Sequence, residues 1–96
     1  MSNTIRLECT NGSHNKFYEF VGIENKGRFN VKGLYGRIGQ APNEAIIYDG
    51  NVKADAQHEY EKKLKEKQKK GYAVVSANGK AVKPGTAEKK TLQMFP

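Results

Sequence analysis

The chain has 96 residues, of which 36% are hydrophobic and 28% charged, with no tryptophan; that composition supports one small core and is too little for two domains. Seventeen Lys and Arg against ten Asp and Glu give a formal charge of +7, a field that concentrates polyanions such as nucleic acid without reading their sequence. No apolar run approaches the roughly 20 residues that span a bilayer, and MSNTIRLECT lacks a signal-peptide pattern, so membrane and secreted classes are disfavoured and a cytoplasmic location is expected.

Ile5, Leu7 and Cys9 alternate with Arg6, Glu8 and Thr10, the period of a strand with one buried face. Cys9, the single cysteine, has no internal partner and reads as a core residue of a reducing compartment. Asn11 to His14 is turn chemistry. Lys16 to Ile23 then carries apolar groups on both faces, as a central strand does. Asn25-Lys26-Gly27 closes a hairpin into a third strand that starts at Arg28-Phe29-Asn30-Val31.

Strand parity breaks in that third strand. Phe29 and Val31 share a face, whereas Leu34 and Ile38 fall on the other. A bulge at Gly33 would rephase the pleat, return Leu34, Gly36 and Ile38 to the core, and aim Tyr35 and Arg37 outward together.

After a loop from Gly39 to Asn43, Ala45 to Tyr48 reads as a short strand. Asn51 is a candidate N-cap for a helix over Val52 to Lys70, with Ala56, Tyr60 and Leu64 as its buried stripe and Gly71 as its left-handed cap. Lys62, Lys63, Lys65, Lys67, Lys69 and Lys70 crowd its last turns, where they complement the helix dipole. Tyr72 to Val75 is a further strand, residues 76–90 a loop, and Thr91 to Phe95 a closing strand or a loose end. The expected class is α+β, an antiparallel sheet with one main helix across it, in a single domain over residues 1–96.

No catalytic set emerges. His14 sits in a turn and His58 on the polar side of the helix, so neither a Cys-His pair nor a zinc site has workable spacing. Glu59, Glu61 and Glu66 read as solvated helix charge with i,i+4 lysine partners. Gly33, Gly36 and Gly39 lie in a strand and not before a helix N-terminus, so they do not cradle phosphate. No enzyme activity, metal or cofactor is expected. A binding pair remains: an exposed tyrosine stacks on a base or sugar, and an arginine two residues on forks onto phosphate. The same spacing also fits a Tyr-Arg pair that merely covers the sheet.

Arg28-Phe29-Asn30-Val31, Tyr35-Gly36-Arg37-Ile38-Gly39, Asn15-Lys16-Phe17-Tyr18, the helix run Glu61 to Lys67, a Lys-Gly-Tyr helix end and Leu92-Gln93-Met94 occur in this order. Together they resemble the WGR domain, the module beside the catalytic region of DNA-dependent poly(ADP-ribose) polymerases that also occurs as a small bacterial domain. The resemblance covers nearly the whole chain, with Tyr35 in place of the motif tryptophan, and implies that 91–95 is a closing strand. It implies nucleic-acid binding, DNA before RNA, at a backbone or an end, through Tyr35, Gly36, Arg37, Asn15, Lys16 and Lys67. The alternative is a protein-interaction module that docks an acidic partner or a separately encoded effector.

Overall fold

The computed structural model describes residues 2–10, 12–81 and 95. The alternating N-terminal residues form β1 (Ser2–Cys9), which pairs antiparallel with β2 (Lys16–Asn25). β2 turns at Lys26-Gly27, both at positive φ (50° and 81°), into β3 (Arg28–Arg37), so that Asn25 faces Arg28 across a two-residue hairpin. β4 (Asn43–Gly50) follows on the far side of β3. Helix α1 (Lys53–Lys69) then leads to β5 (Ala73–Ala77), which pairs with β1, and β6 (Lys80–Ala81) completes the order β4-β3-β2-β1-β5-β6. Because β4 is the outermost described strand on one side and β5 lies beyond β1, the helix has to cross one face of the sheet.

The helix crosses on its Ala56, Tyr60 and Leu64 stripe, which is buried as the spacing requires. Tyr60 meets Phe20 edge-on at 5.0 Å, and Phe20, Leu7, Val31 and Tyr60 are fully buried. The apolar ones, Leu7, Phe20 and Val31, each contribute about 1.5–3 kcal/mol by leaving water. Cys9 is buried with this face of β1. Phe95 meets Phe29 edge-on at 5.1 Å.

Four expectations change. β3 has no bulge at Gly33: its pairing with β2 is unbroken from Arg28 to Arg37. The irregularity is in β4, where Val31 faces Tyr48 and Lys32 faces Ile46, so Ile47 is the extra residue. β3 therefore keeps its parity. Leu34 lies on the face away from the helix, and Tyr35 and Arg37 lie on the helix face with Phe29 and Val31. Gly33 is small for another reason, since a methyl group there would lie 2.6 Å from Cζ and 2.8 Å from Cε1 of the Tyr18 ring.

The expected loop begins instead as a hairpin. Asn78 and Gly79, at φ 53° and 79°, turn β5 into β6, so residues 76–81 are paired chain. Asn-Gly is the dipeptide best suited to a two-residue turn with positive φ. The remainder of that loop, 82–90, lies outside the described residues, as does the expected closing strand except for Phe95.

The helix starts at Lys53 with Val52 as N-cap and no side-chain cap, in place of Asn51; the Val52 N–H donates to the Tyr48 hydroxyl at 3.2 Å. Its described glutamate pair is Lys63–Glu66 at 3.0 Å, spaced i,i+3 and not i,i+4.

Candidate nucleic-acid interface

The end of α1 determines where the site forms. Gly71, at φ 98°, lets its own N–H reach the Gln68 carbonyl at 3.1 Å while the Tyr72 N–H reaches the Lys67 carbonyl at 3.1 Å. This pair of bonds is the Schellman cap, which stops the helix and folds the chain back over its last turn. The helix thus ends above β2 and β3 before it covers their outer ends. Past its edge, the helix face of the sheet continues as Tyr18, Tyr35, Lys16 and Arg37.

These side chains are in register. Tyr18 faces Tyr35 across β2 and β3, and Lys16 faces Arg37. The two tyrosine rings stack with centroids 5.7 Å apart and planes 11° from parallel. Lys67 reaches over from the helix, its Nζ 4.7 Å from the Tyr18 centroid and 5.6 Å from that of Tyr72. One column results, with Tyr72, Lys67, Tyr18 and Tyr35 packed in sequence; Tyr18 is 3% exposed and Tyr35 38%. Tyr35 is therefore backed by a buried ring and open on its outer side.

A cleft of about 360 Å³ adjoins this column, lined by Lys16, Tyr18, Tyr35, Gly36, Arg37, Lys67 and Tyr72 together with residues 40, 41 and 43 of the following loop and strand. Five of the six residues expected from the sequence meet there. Asn15 does not line it; its carbonyl accepts the Ile38 N–H at 3.0 Å, tying the start of β2 to the end of β3. Gly36 has open surroundings, with nothing nearer than 3.8 Å to a would-be side chain, but a φ of 151° that L side chains rarely adopt. Its role is in the backbone between Tyr35 and Arg37.

Charge separates the two faces of the sheet. On the face away from the helix, Arg6 pairs with Glu8 at 2.9 Å and Glu19 at 3.7 Å, Arg28 with Asp49 at 3.0 Å, and Lys32 with Glu44 at 3.3 Å. Arg6 also covers the Phe17 ring at 4.4 Å. On the helix face, Lys16 and Arg37 sit directly opposite one another, and among the described residues neither has an ion-pair partner. Facing like charges destabilise a strand pair, and an anion between them removes that repulsion.

Lys67 adds to the same field. Burial, followed by the Lys70 and Lys63 ammonium groups, holds its pKa below the usual lysine value, and Lys16 acts in the same direction. A cation that is partly desolvated and surrounded by like charge gains more from an incoming anion than a free one does. Burial raises the phenol pKa of Tyr18, with Tyr35 beside it contributing next, so Tyr18 stays a neutral stacking surface.

Sequence reasoning missed Tyr18 and Tyr72. Tyr18 was visible as the even-parity neighbour of Phe20, and the Lys70-Gly71-Tyr72 run was a signal for a chain reversal that returns an aromatic to the helix end. His14, expected in a turn, and His58, expected on the polar side of the helix, are both exposed.

The family model described as WGR domain matches residues 2–79. No curated protein and no solved structure matches the chain.

Proposed function

The chain belongs to the WGR domain family, a family of nucleic-acid-binding modules, and on that premise we propose that it binds DNA through the Tyr35 and Arg37 cleft, without catalysing a reaction. The observation that carries this reading is the cation pair Lys16 and Arg37 beside an aromatic ring that is rigidly backed and open outward. Arginine forks onto phosphate oxygens, and lysine supplies a second positive charge at the same group. Tyr35 offers its free face to a base or sugar next to that phosphate. Lys67 contributes charge from the helix, and Asn15 and Gly36 hold the two strand ends in place. The binding mode is recognition of backbone, with an end favoured because an unstacked terminal nucleotide exposes a ring or sugar face.

The deciding experiment is a binding panel of blunt, recessed, 5′-phosphorylated and single-stranded DNA with matching RNA, repeated over a salt series. Affinity falls with about 0.9 power of salt concentration per duplex phosphate contacted. Equal affinity of Arg37→Ala, Tyr35→Ala and the unaltered chain for every probe rejects this site. Failure to bind any probe at low salt, with co-purification of an acidic protein, rejects the function in favour of a protein-interaction module.

A further inference from the structure

A second, larger groove lies on the other side of Tyr35, between α1 and β4, with a volume of about 780 Å³. Its apolar lining is formed by Ala45, Ile46 and Ile47 of β4, with Ile46 58% exposed, together with Tyr18 and Tyr35. Ile47 is the extra residue of the β4 bulge, between Ile46, which faces Lys32, and Tyr48, which faces Val31. Its rim is basic: five helix lysines line the groove against Glu59 and Glu66. Glu66 is held by Lys63 at 3.0 Å, which lowers its pKa and neutralises it locally. Tyr18, Tyr35 and Lys67 line this groove and the smaller cleft alike.

We propose that this groove is a binding site for unpaired nucleotides, continuous with the cleft, so that a strand leaving the Lys16 and Arg37 pair passes over Tyr35 and along α1. The inference rests on the nucleic-acid reading of the cleft. An apolar lining takes base faces, which a duplex hides in its stack and a single strand exposes. A rim of lysines on one side takes the phosphates of the same strand. Tyr35, as the ridge shared by both hollows, separates the last paired nucleotide from the first unpaired one. The preferred ligand is then a duplex with a short single-stranded extension.

The test uses the full chain and two fluorescent DNA probes sharing a duplex of about 12 base pairs, one blunt and one with an overhang of about four thymidines. The extended probe binds about tenfold more tightly, within the range that one stacked base contributes, and with a steeper salt dependence. In Lys62→Gln/Lys63→Gln the ratio between the probes falls to about one. 4-Thiothymidine placed in the overhang cross-links on irradiation to residues 45–47 or to α1. Equal binding of both probes by the unaltered chain, an unchanged ratio in the double variant, or cross-links confined to β2 and β3 overturns the groove assignment while leaving the cleft intact. Displacement of the overhang by an oligoglutamate peptide as effectively as by oligothymidylate also overturns it. Binding to neither probe rejects the nucleic-acid reading itself.

Discussion

The Tyr35 ring rests on the Tyr18 ring, 5.7 Å between centroids and 11° from parallel, and the Tyr18 ring is in turn capped by the Lys67 ammonium. The exposed aromatic of the candidate interface is thus the outermost layer of the core. Its orientation is set by buried neighbours and needs no ligand to order it, so binding costs less conformational entropy than ordering a free side chain would.

Tyr35→Ala leaves the fold intact, because Tyr18 and not Tyr35 closes the core. It lowers nucleic-acid affinity by about 1–3 kcal/mol, the range for a lost base-aromatic stack. Tyr35→Trp raises affinity by enlarging the stacking face. Anisotropy titration of the three proteins on one probe checks both, and a tryptophan variant weaker than the tyrosine would show that the ring packs against protein and not against ligand.

Removing one cation from the Lys16 and Arg37 pair separates stability from binding. Arg37→Ala removes one of two like charges at directly opposite strand positions, so urea unfolding shows stability unchanged or raised by about 0.2–1 kcal/mol. Over the same change the slope of log affinity against log salt falls by about one. A clear loss of stability would mean that Arg37 has a structural partner.

Gly33→Ala acts on the interface through Tyr18. The new methyl group meets the Tyr18 ring at 2.6–2.8 Å, and that ring is fixed between Tyr35, Lys67 and Phe20. Overpacking of this kind costs about 1–3 kcal/mol. Affinity drops as well, since the displaced Tyr18 carries Tyr35 with it. Wild-type stability in this variant, measured by denaturant titration, is the result that contradicts the close approach.

Tyr60 is fully buried, and among the described residues its hydroxyl has no hydrogen-bond partner. Tyr60→Phe removes an unsatisfied polar group, whose burial costs about 1–3 kcal/mol, and is expected to stabilise the chain by about 1 kcal/mol. It also alters alkaline sensitivity. Burial pushes the Tyr60 phenol far above 10.0, the unfolded value, and raises Tyr18 and Tyr72 in the same direction. The unfolded chain therefore ionises first. The stabilising contribution is complete below about pH 10 and is lost as pH climbs through the raised values. Thermal melts across that window show a shallower decline for Tyr60→Phe, and an identical decline would place the titration elsewhere.

Much of the fold was legible because it is local. The two-residue turn at Lys26-Gly27, the alternation of β1 and the Ala56-Tyr60-Leu64 stripe each follow from contacts within one element or one hairpin. The β5-β6 hairpin was not read from the sequence: Asn78-Gly79 carried its turn signal, but the sparse apolar content around it pointed to a loop. For the candidate site, the family resemblance named Lys16, Tyr35, Gly36, Arg37 and Lys67, which line one cleft, whereas the parity conflict between Val31 and Leu34 pointed to a bulge in β3 that does not exist, because the irregular residue is Ile47 of β4.

What the sequence by itself determined, then, is that Tyr35 and Arg37 share a face; its grouping of Leu34 with Phe29 and Val31 does not survive the unbroken pairing of β3. Only the tertiary structure decided which face that is. Periodicity specifies the alternation of side chains and not the cover above them. The cover depends on where α1, crossing from β4 to β5, stops at Gly71. Because the helix ends short of the outer ends of β2 and β3, the parity that buries Phe29 and Val31 exposes Tyr35 and Arg37 without any bulge. Gly33 illustrates the same division: its lack of a side chain is plain in the sequence, and its cause, the Tyr18 ring laid across it from the neighbouring strand, exists only once the strands are paired.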